Sequence, residues 1–135
     1  MIAAFHRSIE SYWTRAFQEN GRRRRLTTQL SIRVLRPEED YSAGSLRLLD
    51  GGTHSAAAPH AIYLGREFRF DVPAHEFGHI LGLPDEYVDR YSPEKMQVTD
   101  EQDRTSLMAN QDGLLQSRHI IQIIEAMKSA DRLSE

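Results

Sequence analysis

The sequence contains no cysteine, which excludes disulfides, thiol nucleophiles and any metal site built on thiolates. Any metal must therefore be held by His, Asp or Glu. No apolar run approaches the roughly 20 residues that a bilayer span needs, so no membrane is expected as a partner. The opening stretch, MIAAFHRSIESYW, has no apolar signal-peptide core, and nothing in it directs export by the general route. Charge of one sign is lacking too. A net charge of -3 gives no overall electrostatic reason to expect nucleic acid as a partner. What remains, 39% hydrophobic and 27% charged residues, is the balance of a soluble globular protein. A length of 135 residues is enough for one domain, 1–135, with a core that needs no staples.

Hydrophobic periodicity predicts a first helix through Ile9, Tyr12, Trp13, Ala16 and Phe17, one stripe at i, i+3, i+4, i+7 and i+8, stopped by Asn20 and Gly21. The RRRR run at 22–25 reads as a solvated helix–strand junction with its stems on apolar surface; such runs are weak signals of a polybasic contact outside a basic domain. Leu30, Ile32 and Val34 alternate with Ser31, Arg33 and Leu35, which predicts a strand ended by Pro37. A short strand is expected in SLRLLD (45–50) and a loop in GGTHSAAAPH (51–60). AIYLGREFRF (61–70) reads as two short strands across a turn at Gly65 and Arg66. Residues 88–113 read as a long polar connection, a kind of segment that is often functional in a compact domain. A last helix is expected to bury Leu114, Ile120, Ile121, Ile124 and Met127. This order of elements is an α+β pattern.

The stretch HEFGHILGLPDE, residues 75–86, carries the chemistry. On a helix over 72–82, His75 and His79 lie about 40° apart and roughly 6 Å along the axis, with Glu76 about 60° from His79. Phe77, Ile80 and Leu81 take the opposite, core-facing side. Asp71 fits the N-cap, and Pro73 fits the first turn, where its missing N–H costs little. Imidazoles at i and i+4 supply two of the three protein ligands that a catalytic zinc takes. Glu76 then stands near the open position without binding the metal, where it can accept a proton from water whose pKa the metal lowers. Gly82 can adopt the left-handed conformation that ends a helix, and Pro84 prevents its continuation. The chain therefore turns and can return Asp85 as the third ligand of one catalytic zinc ion. Glu86 is its rival; adjacent residues on a turn point apart, and the spacing favours Asp85.

Other residues could support such a site. Arg118 and His119 open the last helix and either face the cleft, where they could hold the oxyanion of a tetrahedral intermediate, or face solvent as a polar pair. Tyr87 and Tyr91 could donate in the same way, although core packing is the commoner role. His54 and His60 fall in the Gly-rich loop and read as incidental; His6 reads as a surface residue.

HEFGHILGLPD resembles the metzincin zinc-peptidase signature H-E-x-x-H-x-x-G-x-x-H, with Asp85 at the position of the last histidine. That Asp form is similar to the motif of snapalysin-type small bacterial proteases. Metzincins also carry a methionine in a tight turn below the metal, and SLMANQDG fits with Met108. Their tyrosine two residues after the Met is Asn110 here, which departs from the pattern. HEFGHILGLPDEY followed by SLMAN and RH also looks like metallopeptidase toxin or effector domains that bacteria deliver by specialised secretion systems. The resemblance implies a metzincin-like zincin. Its twisted mixed sheet is accompanied by an N-terminal helix, an active-site helix and a C-terminal helix. The implied activity is that of a zinc-dependent endopeptidase acting on protein or peptide substrates, with water at the zinc activated by Glu76. It also implies an edge strand above the cleft that holds the substrate extended, and the strand at 61–64 is the nearest in sequence. Two rivals stay open: a zinc amidase of cell-wall peptides, and a non-catalytic module whose zinc is closed by a fourth ligand such as His119.

Overall fold

Helix α1, Ile2–Tyr12, presents Phe5, Ser8 and Ile9 inwards, and Trp13 extends the same face just past its end, 1% exposed. The structure, a computed structural model, describes residues 1–40, 45–92, 97–102, 105–110 and 112–133; for 87–92, 97–102, 132 and 133 the description is of the backbone. The helix stops earlier than its apolar stripe predicts. Ala16 and Phe17 lie instead in strand β1, Arg15–Glu19, which pairs antiparallel with β2, Arg22–Leu26. Asn20 and Gly21 join the strands with φ of 51° and 75°. Two successive positive φ values make the tight hairpin turn that Asn-Gly favours, so this dipeptide reverses a strand and does not cap a helix. The arginine run is thus a strand, not a junction. Arg24 lies 5.9 Å over the Phe17 ring and pairs with Glu19 at 2.9 Å.

The strand expected at 30–36 does not form. The N–H of Leu30 donates to the Glu10 carboxylate at 2.9 Å, and its carbonyl meets the His6 ring at 3.0 Å. Side chains of α1 therefore satisfy the backbone that a ladder would have used, and Val34 is left exposed. His6 has this structural role and is only partly exposed.

The central sheet is three-stranded and mixed. β3, Arg47–Asp50, runs parallel to β5, Ala61–Leu64, and β4, Ala56–Ala58, runs antiparallel to β5. The order is β3-β5-β4, which corrects two expectations. The Gly-rich stretch contains a strand, and 61–64 is the central strand while β4 is an edge. Residues 65–70 form no second strand; Gly65 and Arg66 instead donate their N–H groups to the Ser55 hydroxyl and the Gly52 carbonyl, both at 2.9 Å.

Helix α2, Val72–Ile80, is docked on α1 by directed contacts. Trp13 donates its indole N–H to the Ala74 carbonyl at 3.0 Å, and Ala74 donates its N–H to the Ser8 hydroxyl at 3.2 Å. Ser8 thus satisfies a helix-start donor that the sequence assigns to Asp71. Asp71 does occupy the N-cap position, but its carboxylate receives Arg69 at 3.1 and 3.3 Å. Phe77 completes the junction with its ring at 5.4 Å from Trp13, edge to face.

The predicted polar connection contains a hairpin: β6, Tyr87–Ser92, pairs antiparallel with β7, Gln97–Gln102. Helix α3, Ser117–Leu133, buries His119 and Ile120. Leu114 and Met127, expected in its stripe, are exposed, and Leu115 is buried instead. Leu114 precedes the helix, with its backbone bonded to Thr105 and Leu107. The α+β class stands, with three helices and a mixed sheet among the described residues. No described helix is long and apolar enough to cross a membrane.

Candidate metal centre

Helix α2 ends in a geometry its sequence dictates. Gly82 has φ 93°, donates its N–H to the His79 carbonyl, and is followed by Leu83, whose N–H reaches the Gly78 carbonyl, both at 3.0 Å. This is the paired bonding of a Schellman motif around a left-handed residue. The turn sends the chain back along the helix and brings Asp85 to the two histidines.

Three donor atoms meet there. His75 Nε2 and His79 Nε2 are 3.1 Å apart, and Asp85 Oδ1 is 3.2 Å from the first and 3.1 Å from the second. Donors of a tetrahedral zinc at about 2.0–2.1 Å stand roughly 3.3 Å from one another, so the triangle fits that ion. The outer ring nitrogens fit as well. His75 Nδ1 lies 2.9 Å from the Leu107 carbonyl, and His79 Nδ1 lies 2.8 Å from the Leu83 carbonyl. A carbonyl can only accept, so each Nδ1 carries a proton, and a ring with that one proton turns a lone pair inwards. Among the described residues these three form the one group with metal-binding geometry.

Glu76 is 8% exposed. Burial pushes its carboxyl above the ordinary range; His75 and His79 pull it back, and Asp85 adds to the rise. It lines, with His75, a cavity of about 410 Å³ between α2, the segment leading into β4, and residues 109 and 110. His54, expected to be incidental, lines this cavity, as does Asn110; His60 sits at φ 63° in the turn between β4 and β5.

Met108 is fully buried beneath α2. A Cβ added to Gly78 would meet its sulfur at 2.5 Å, so the glycine permits this approach and the methionine fills the space. The same turn supplies the Leu107 carbonyl to His75 and the Met108 carbonyl to the Glu86 N–H at 3.0 Å.

Glu86, the rival ligand, is engaged elsewhere. Arg118 grips it with both terminal nitrogens, one at 2.8 Å. The Ser106 hydroxyl donates to it, and His119 Nε2 lies 3.0 Å away. Gln116 donates its N–H to His119 Nδ1 at 3.0 Å, which leaves the neutral ring's proton on Nε2, facing Glu86. Four donors match the roughly four lone-pair sites of a carboxylate. The Arg118 bonds above all, then those of Ser106 and His119, hold its pKa at about 2 against the opposing effect of burial. His119 and Arg118 therefore neither face solvent as a loose pair nor point to the histidine pair; they anchor the residue after Asp85. The side chains of Tyr87 and Tyr91 lie outside the described residues. Ser106 has no sequence signal beyond its place beside Met108.

Two imidazoles and a carboxylate on an α+β frame are the donor set of a zinc hydrolase. The family model of the immune inhibitor A peptidase M6 catalytic domain matches residues 42–111. This is just over half of the chain, which belongs to that family and is a zinc metallopeptidase in class. Comparison with curated proteins and with solved structures returned no match.

Proposed function

We propose that the protein is a zinc-dependent endopeptidase in which His75, His79 and Asp85 hold the ion and Glu76 is the general base. One observation carries this reading. Three lone-pair donors converge at 3.1–3.2 Å while both Nδ1 atoms are already committed to carbonyls. With neither Nε2 protonated, such a triangle is repulsive unless a cation shares it. Held there, zinc supplies Lewis acidity, which lowers the pKa of water and polarises a carbonyl.

The chain's own residues do the rest. Glu76 takes a proton from the attacking water on a carboxylate oxygen and delivers it to the nitrogen of the leaving amine. Its burial, which raises its proton affinity, suits it to hold that proton between the two steps. The substrate lies extended along the β4 edge, adding a strand to the sheet, and fills the cavity that reaches His75 and Glu76. A metzincin-type floor at Met108 keeps the ligand helix level. A closed structural site would need a fourth protein ligand, and His119 is turned to Glu86.

The test is Glu76→Gln. The variant should bind zinc as the wild type does, while cleavage of a peptide mixture, followed by mass spectrometry, falls by about 10²-fold or more. Cleavage at the wild-type rate sinks the mechanism.

A further inference from the structure

We infer that Glu86, with Ser106, Arg118 and His119, is a positioning device for the third ligand, Asp85; the inference rests on the metal site proposed above. Asp85 is the weak point of that site. Its side chain is 40% exposed, against 21% and 23% for the histidines, and it follows the helix on a turn. Yet a ligand set must hold its donors within about 0.5 Å.

The next residue supplies the missing rigidity. Glu86 lies one peptide away, about 3.8 Å between Cα atoms, and its side chain and N–H are tied to two other elements. Arg118 and His119 attach it to the first turn of α3; Ser106 and the Met108 carbonyl attach it to the turn beneath α2. Ser106 Oγ also accepts the Met108 N–H at 3.1 Å, so one hydroxyl joins the carboxylate to the turn whose Leu107 carbonyl orients His75. Ser106 and His119 are fully buried, so on that side the Glu86 carboxylate meets protein donors and not water. The cluster thus fixes the Asp85 backbone from behind and connects it to the element that orients the first ligand. None of its members belongs to the proposed ligand set, and each acts through another residue.

The measurement is zinc affinity, by competition with a chelator, alongside the melting temperature of the metal-free protein. Glu86→Gln keeps the shape of the side chain but lacks the charge and one acceptor. Zinc affinity should fall by about 10- to 100-fold, the scale of changes just outside a ligand shell. Arg118 lies at the exposed side of the cluster, so Arg118→Lys should leave folding intact. It should weaken binding in the same direction but less, since a lysine cannot form the fork. In an Asp85→Ala background the Glu86→Gln effect should largely vanish, because the cluster acts through that ligand. Wild-type zinc affinity in both variants overturns the inference, even if their melting temperatures drop, since the cluster would then serve folding alone. An undiminished Glu86→Gln effect without Asp85 overturns the route through that ligand. Failure of the wild type to bind zinc removes the metal reading itself, and this inference with it.

Discussion

Asp85 and Glu86 are neighbours in sequence and opposites in surroundings. Around Asp85, among the described residues, stand the inward nitrogens of two imidazoles at 3.1–3.2 Å, each ring with its Nδ1 proton committed to a carbonyl. Around the Glu86 carboxylate, among the described residues, stand donors from Arg118, Ser106 and His119. The second cluster is complete as protein; the first, on the reading proposed above, is completed by a cation. Acidic residues close to histidines are thus separated by proton inventory, not by distance. Glu86 is as close to a histidine as Asp85 is, but the His119 proton faces it.

The largest expected effect comes from removing each acid in turn. Asp85→Ala should lose zinc by more than the 10- to 100-fold expected for a group outside the ligand shell, and elemental analysis after dialysis should find little metal. Glu86→Ala should retain about one ion per chain when zinc is in excess. Metal lost from Glu86→Ala and kept by Asp85→Ala would reverse the comparison.

A second contrast lies in stability. Burial raises the Glu76 pKa, while the Arg118 fork and its companions lower that of Glu86 to about 2 from an ordinary 4.5. A depressed carboxyl contributes stability that is present above its unfolded value and lost as pH falls through the folded one. For Glu86 that window runs from about 4.5 down to about 2. A raised carboxyl has the opposite sign: its fold prefers the protonated form, and stability declines as pH climbs from the unfolded value through the folded one. At neutral pH and without metal, Glu76→Gln should therefore raise the melting temperature and Glu86→Gln should lower it. Denaturation curves below pH 4.5 should also be less acid-sensitive in Glu86→Gln than in wild type. Shifts of the same sign at neutral pH would mean that the two environments are not opposed.

The part legible in the sequence was the part built from local rules. His75, Glu76 and His79 converge because 3.6 residues per turn leave them no alternative, and Gly82 and Pro84 mark the helix end that returns Asp85. Two of the misreadings share a cause: groups far apart in sequence satisfied the backbone. Ser8 replaced Asp71 as the donor's partner at the α2 start, and Glu10 and His6 took the backbone of Leu30 that a strand would have paired. A helical stripe through Phe17 hid the hairpin because Trp13 and Phe17 are both buried, one past a helix and one in a strand. Arg118 and His119 were visible as polar residues. Their partner, Glu86, was not, since the contact spans 32 and 33 residues.

Met108 belongs to both clusters, and its substitution should have the smallest effect. Its side chain packs under Gly78 in the ligand helix, while its carbonyl takes the Glu86 N–H. Only the first contact depends on the side chain. Met108→Leu conserves apolar volume and leaves the backbone bonds in place, so it should cost less than about 1.5 kcal/mol and leave zinc affinity close to wild type. Gly78→Ala perturbs the same contact from the other side. Its new methyl group would meet the methionine sulfur at 2.5 Å, and overpacking of this kind costs about 1–3 kcal/mol, against a gain of about 1 kcal/mol in helix propensity. Chemical denaturation of both variants separates the cases. A floor made of packing predicts that Gly78→Ala is the more damaging of the two. A tenfold loss of zinc affinity in Met108→Leu, with stability unchanged, would instead give the sulfur a role in the site that packing does not explain.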